Sequence, residues 1–241
     1  MKKAGILAFC LVFGTIVFAA GNRVGTQGKP TRTLPYPPHA KTLGIEGNVV
    51  LTGDVSADGR IGPLKVLASS SPELTATATD FVSSWTFTPA KDGGKPVPVT
   101  INAVVRFRKD STSPKGVAPG TLNAPIVGNL VLAPSDANGK ASGPEGFALD
   151  SSDGGVVGML DLDFPASTAP RTYHVAVEDQ AAAGKTSKLA EKTVTAGGTG
   201  QTIKTITFRR LRKDGAIEKG AHTVRIVVDG ANAGGGVYRV L

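Results

Sequence analysis

Apolar residues in this chain recur at every second position, in short runs separated by glycine-containing turns, over most of its length. That period belongs to half-buried β-strands, because successive strand side chains point to opposite faces. Two stretches depart from it: Ala4 to Ala20, which carries no charged residue, and Ser69 to Ser84, where the apolar spacing turns helical. Aromatic residues make up only 5% of the chain, so a core must rest on Val, Ile, Leu and Ala. Such residues suit sheets better than a helical bundle.

Lys2 and Lys3 precede the uncharged run, and Ala19, Ala20 and Gly21 follow it. The order basic, apolar, small is that of an export signal. Residues 1–20 are therefore expected to act as a signal peptide or an N-terminal anchor, the chain's one contact with a membrane. Everything after them would lie in the periplasm or cell envelope. Cys10 falls inside the run and is the one cysteine, so no disulfide or Cys-ligated metal is expected in the exported part. Residues 21–33 are polar and glycine-containing, the composition of a flexible spacer.

Residues 34–109 form the first patterned block. Gly47 to Val55 reads as a strand, Ala57-Asp58-Gly59 as a hairpin turn, and Arg60 to Ala68 as the return strand with Ile61, Leu64 and Val66 toward the core. Ser69-Ser70-Ser71-Pro72-Glu73 then offers a hydroxyl N-cap, a proline in the first turn and an acidic group at the positive helix end. Leu74, Ala78, Phe81, Val82 and Trp85 share one helical stripe. After the Asp92-Gly93-Gly94 turn, Val97 to Phe107 alternates without a break. The expected order is strand, strand, helix, strand, an α+β unit.

Residues 110–120 read DSTSPKGVAPG, a turn-rich linker. Beyond it, residues 121–241 carry alternating runs at Ile126–Leu132, Val156–Phe164, Thr172–Val177, Leu189–Thr195, Ile203–Phe208, Thr223–Val228 and Val237–Leu241. Short strands at this spacing predict an all-β, immunoglobulin-like sandwich.

Charge is uneven. Of the net +8, residues 22–109 contribute +5, from 11 basic and 6 acidic residues. A basic exported unit favours anionic envelope partners such as peptidoglycan. Export and the lack of a nucleic-acid motif argue against nucleic acid. His39, His174 and His222 are scattered, and no nucleophile elbow, phosphate loop or dinucleotide fingerprint occurs. Asp161 and Asp163 share a strand face, and Arg209-Arg210-Leu211-Arg212-Lys213 precedes a turn; both read as solvated surface. The expectation is a non-enzymatic protein without metal or cofactor.

Several short motifs fall in a telling order: Tyr36-Pro37, Gly44-Ile45-Glu46-Gly47, Val55, Asp58-Gly59-Arg60, Ser69-Ser70, Trp85-Thr86-Phe87-Thr88-Pro89-Ala90, Asp92-Gly93, Lys95-Pro96-Val97 and Phe107. Together they resemble the C-terminal domain of the TonB family. The resemblance implies a helix packed on a short antiparallel sheet. It also implies that an extended segment of an outer-membrane transport receptor is bound by strand addition, and that energy is passed from an inner-membrane motor. The sequence departs from the family's energy transducers in its short spacer, in an apolar segment that lacks the polar residue with which family anchors engage the motor, and at Thr75, where the family usually carries Asp. By similarity the partner-binding edge is the last strand of the block: Val97, Val99, Thr100, Ile101, Asn102, Ala103, Val105 and Arg106, with Thr100, Asn102 and Arg106 expected to tune specificity. Tyr36 and Pro37 are further contact candidates. Expected partners are a receptor peptide or another envelope protein; the alternative is a structural envelope protein that uses the same unit to bind peptidoglycan without energy transduction.

Overall fold

A computed structural model describes residues 23–108, 122, 124–198 and 202–241; the expected signal, and the expected linker at 110–120, lie outside them. The first unit runs β1 (Arg23–Val24), β2 (Gln27–Lys29), α1 (Pro38–Leu43), β3 (Gly47–Val55), β4 (Lys65–Ser69), α2 (Pro72–Ser83), β5 (Thr86–Thr88), β6 (Ala90–Asp92), β7 (Lys95–Val97) and β8 (Val99–Phe107). Its main sheet has the order β4-β3-β8, antiparallel throughout. The helix α2 lies on one face of it. Leu74, Ala78, Phe81, Val82 and Trp85 are all buried there against Val49, Leu51, Ile101, Val105 and Phe107, the stripe that the helical spacing predicted.

Five local features differ from the sequence reading. Residues 23–29, read as flexible spacer, hold two short strands: β1 pairs with β6 and β2 with β5. Gly28 permits this, because any Cβ there would lie 2.7 Å from the Phe87 ring and 2.8 Å from Trp85. A short helix, α1, begins at Pro38, which fits a first-turn position that needs no N–H donor. Ser71 sits at the α2 N-cap but its side chain makes no cap bond. Instead the Ser71 N–H donates to Ser69 Oγ, and Thr75 Oγ1 donates to the same oxygen at 2.8 Å. The return strand is only β4, and Val66 is 45% exposed rather than in the core. A bulge between Val50 and Leu51 leaves Leu67 as the extra residue, so that Leu67 and Ala68 both pack against the second unit. Finally, the run from Val97 is split at Pro98, which has no N–H for a ladder, so Val97 ends the β7 hairpin arm.

The second unit contains β9 (Ile126–Ser135), β10 (Gly155–Phe164), β11 (Arg171–Ala181), β12 (Thr186–Ala196), β13 (Thr202–Leu211), β14 (Gly220–Val228) and β15 (Ala231–Val240). All seven alternating runs fall on these strands, apart from terminal Leu241. One sheet has the order β13-β10-β9 and the other β12-β11-β14-β15. Leu160, Leu162, Phe164, Tyr173, Val224 and Ile226 form part of the core between them. At one end this core is closed by polar groups. Buried His222 lies 3.0 Å from Asp179 and 2.8 Å from the Glu218 carbonyl, and stacks on Tyr238, whose hydroxyl donates to Asp179. Burial draws the His222 pKa down, but the Asp179 carboxylate and the Glu218 carbonyl outweigh it and hold the imidazole above its ordinary value.

A raised folded-state pKa stabilises the fold below the unfolded value of about 6.5 and loses that contribution as pH rises through the folded value. His222→Ala is therefore expected to cost about 1–3 kcal/mol near pH 6, by leaving Asp179 short of a donor. Urea denaturation should show the gap between the two proteins narrowing toward about pH 8.5. A gap that widens instead would contradict this role for the imidazole.

The two units share a core. Val50, on the β3 face away from α2, is fully buried among the second unit's residues, and Leu67, Ala68 and Val104 pack beside it. The strand β15 approaches through Gly234 and Gly236; a Cβ on Gly236 would lie 2.5 Å from Leu130 and 3.1 Å from Asn102. The glycine run 234–236 is thus a close-packed strand segment.

Candidate partner-binding edge

β8 pairs with β3 along its whole length and is the last strand of its sheet on that side. Its two faces are both used. Val99, Ile101, Ala103, Val105 and Phe107 are buried on the α2 side. The alternate side chains, expected to display specificity to a partner, point instead into the second unit. Asn102 pairs with β15 as a peptide group would: Nδ2 donates to the Val237 carbonyl at 3.1 Å, and Val237 N–H donates to Oδ1 at 2.8 Å. Thr100 Oγ1 donates to Asp54 at 2.7 Å and accepts from Arg239 Nε at 3.0 Å, while Arg239 also reaches Asp54. Arg106 lies 3.5 Å from Asp163.

Asp163 corrects a second expectation, that of a solvated strand face. Its side chain is 1% exposed; Arg108 donates to it at 3.0 Å and Asn48 at 2.9 Å. Burial lowers the Arg108 pKa and Asp163 opposes that shift. A guanidinium stays charged even so. A carboxylate committed to two arginines has no place for a calcium ion, and Asp161 is occupied by Thr205 at 2.6 Å. The Arg209–Lys213 cluster is likewise not free surface throughout. Arg212 donates to the carbonyls of Asp153 and Asp150, Arg210 donates to the Ala216 carbonyl, and Leu211 is fully buried.

Tyr36 and Pro37, proposed as contacts, have structural work. The Tyr36 hydroxyl donates to the Ile45 carbonyl at 2.5 Å, and its ring meets Phe107 edge-on at 5.7 Å. Burial, with Glu46 nearby, pushes its pKa up to about 12. Pro37 caps α1. Trp85 and Phe87 serve the core, as their size suggests.

What β8 presents along its outer side is its backbone. Thr100 N–H points away from β3, donating to the Gly146 carbonyl at 3.2 Å. In an antiparallel strand, groups two residues apart point the same way, so the amides and carbonyls of Asn102, Val104 and Arg106 lie along that outer edge. Among the described residues, the Thr100–Gly146 bond is the one backbone bond on this edge. A cleft opens beside it, lined by Thr26, Ile101, Asn102, Leu130, Leu132, Glu145 and Gly146. The carboxyl of Glu145 sits there half-buried, and desolvation raises its pKa to about 7.

The family resemblance pointed to β8, while sequence reasoning read Asp163 as solvated and gave no role to Asn48, Arg239, Glu145 or Gly146. The available signal was the polar stripe Thr100, Asn102, Arg106 and Arg108 on one strand face, which marks a face meeting something polar. Much of the basic excess of the first unit is also spent internally. Arg23 pairs with Asp150 and with Asp153 at 3.0 Å, and Arg32 with Asp80, in addition to the Arg106 and Arg108 pairs. No helix among the described residues is long and apolar enough to cross a membrane.

A family described as the Gram-negative bacterial TonB protein C-terminal matches residues 32–108. The solution NMR structure of the Pseudomonas aeruginosa TonB C-terminal domain is similar at 31% identity and a TM-score of 0.29, covering 34% of this chain and 85% of that one. A structure of Pseudomonas fluorescens alkylpurine DNA glycosylase AlkC, bound to DNA containing an abasic site analog, is 17% identical. It covers 52% of this chain and 32% of that one at a TM-score of 0.35, too slight a likeness to bear on function. No curated protein matches. The family match spans the ordered motifs from Tyr36 to Phe107, α2 and the β4-β3-β8 sheet. Through residues 32–108 the chain belongs to the TonB C-terminal family.

Proposed function

We propose that this is a non-enzymatic binding protein of the cell envelope, recruiting an extended segment of an outer-membrane receptor by backbone pairing along the outer edge of β8. The observation that carries this is the outward row at Asn102, Val104 and Arg106, which continues beyond the Thr100–Gly146 bond. An added strand gains affinity from such groups, whatever the side chains on either face do. The family relation supports the class of partner. Coupling to an energised motor is a separate requirement, which a tether through the N-terminal segment would have to supply.

The second unit is read as an immunoglobulin-like sandwich. Its division into β9, β10 and β13 against β11, β12, β14 and β15 supports that reading. Its role here is to back the sheet of the first unit and hold β8 rigid. Peptidoglycan binding through positive charge has weaker support, because Arg23, Arg106 and Arg108 are held in ion pairs.

Val104→Pro tests the proposal. It removes an outward N–H and leaves the β3-facing amides of Ile101, Ala103 and Val105 in place; proline is tolerated on such an edge. Binding to peptides from receptor N-terminal segments, followed by calorimetry, should weaken about tenfold or more. Equal binding by both proteins would reject strand addition at β8.

A further inference from the structure

We infer that Pro144–Phe147 is a built-in occupant of the β8 edge, standing where a partner strand begins, and that its release regulates access to the edge. The inference rests on the strand-addition reading for its purpose, though not for its mechanics. Gly146 alone bridges two sheets: its N–H donates to the Leu132 carbonyl of β9 at 3.3 Å, and its carbonyl accepts from Thr100 N–H of β8 at 3.2 Å. A single residue thus makes the bonds of an inserted strand. Its position demands glycine twice over, with φ of +78° and a Cβ that would lie 2.6 Å from the Thr100 carbonyl oxygen. Pro144 is braced from the other side by the connection between β1 and β2, at 3.0 Å from the position a Gly25 Cβ would take.

The neighbouring residue supplies the trigger. Glu145 lines the cleft with Thr26, Asn102, Leu130 and Leu132, none of which carries a charge. Of the charged groups around the segment, Arg23 beside Phe147 is committed to Asp150, Asp153 and Asp92, and these acids are committed to it. The half-buried Glu145 carboxyl is therefore desolvated with no compensating cation, and its pKa rises to about 7. The sign follows directly. A carboxyl whose pKa is raised in the docked state stabilises docking while protonated, and that contribution disappears as pH rises through the docked-state value. Ionisation favours an undocked segment with Glu145 in water, exposing Thr100 N–H to a partner.

Amide hydrogen exchange on the full chain tests this without any partner. Between about pH 5.5 and about pH 8.5, protection factors at Thr100 and Gly146 should fall about tenfold or more, while Ile101 and Ala103, bonded to β3, hold theirs. Glu145→Gln, a neutral mimic of the protonated form, should keep Thr100 protected at both pH values. Unchanged protection across the range in the native chain, or a pH-dependent loss that persists in Glu145→Gln, would overturn the proposal. Failure of receptor peptides to bind would count against strand addition and leave this result standing.

Discussion

Asp163→Ala is expected to destabilise the chain by about 3–5 kcal/mol, because removing one member of a buried ion pair strands its partners. Asp163 sits on β10 of the second unit and everything it holds belongs to the first: Arg108 at 3.0 Å, Arg106 at 3.5 Å and Asn48 at 2.9 Å. The side chains of the two arginines are 17% and 19% exposed, so loss of the carboxylate leaves two cations in a site with little water. Asn48 is itself fully buried and also donates to the Val127 carbonyl, so its own geometry depends on the cluster. Chemical denaturation should show an earlier midpoint, and a transition that broadens or divides as the units uncouple. A loss below about 1 kcal/mol would mean that the cluster is no anchor. Replacing the whole cluster by apolar residues is a different experiment, since a buried pair removed entirely is often neutral.

Gly235→Ala is expected to be the most damaging single-methyl addition in β15. A Cβ there would overlap the Val224 carbonyl oxygen of β14, and a backbone atom inside a sheet ladder cannot swing aside. The cost is about 3 kcal/mol, at the upper end for overpacking. Gly236→Ala gives the contrast. Its Cβ would meet Leu130 at 2.5 Å, Leu132 at 3.0 Å and Asn102 at 3.1 Å, all side chains. Leucine ends can shift, so about 1 kcal/mol is expected there, with the disturbance falling on the contact between the units. Neither glycine has a positive φ, so the difference isolates packing from backbone strain. Thermal denaturation of the two variants should rank them in this order, and the reverse ranking would contradict the packing described.

Much of the strand pattern was legible because burial on one face leaves a period of two in the sequence. The runs of the second unit and the α2 stripe followed from periodicity alone. The local errors have physical causes that act below that period. At Val66 the alternation misleads because β4 is the outer strand of its sheet, paired only with β3, so even its core-side face is partly open to solvent. At Val97 it hides a break, because proline preserves the pattern while ending the ladder. The strands β1 and β2 carry few apolar residues, and they form because partner strands β6 and β5 are available to them. No window of sequence around Arg23 contains that information.

The position of β8 at the end of its sheet followed from the family resemblance, and its side chains were misleading. Thr100, Asn102 and Arg106 form a polar stripe, and polar stripes are read as facing water or a partner. The partner is the same chain: Val237, Arg239 and Asp163 lie more than fifty residues away in sequence. The stripe says that this face meets something polar but not which residues it meets, and the Asp163 carboxylate reads as exposed from its own strand. The backbone edge survives this reassignment because it depends only on β8 lying last in its sheet.

The most direct test of that edge is a per-residue amide footprint of the full chain with and without saturating receptor N-terminal peptide. Strand addition at β8 predicts new protection at Asn102, Val104 and Arg106, with Ile101, Ala103 and Val105 unchanged because they already bond to β3. Binding that protects residues elsewhere and leaves those three amides exchanging freely would contradict the account.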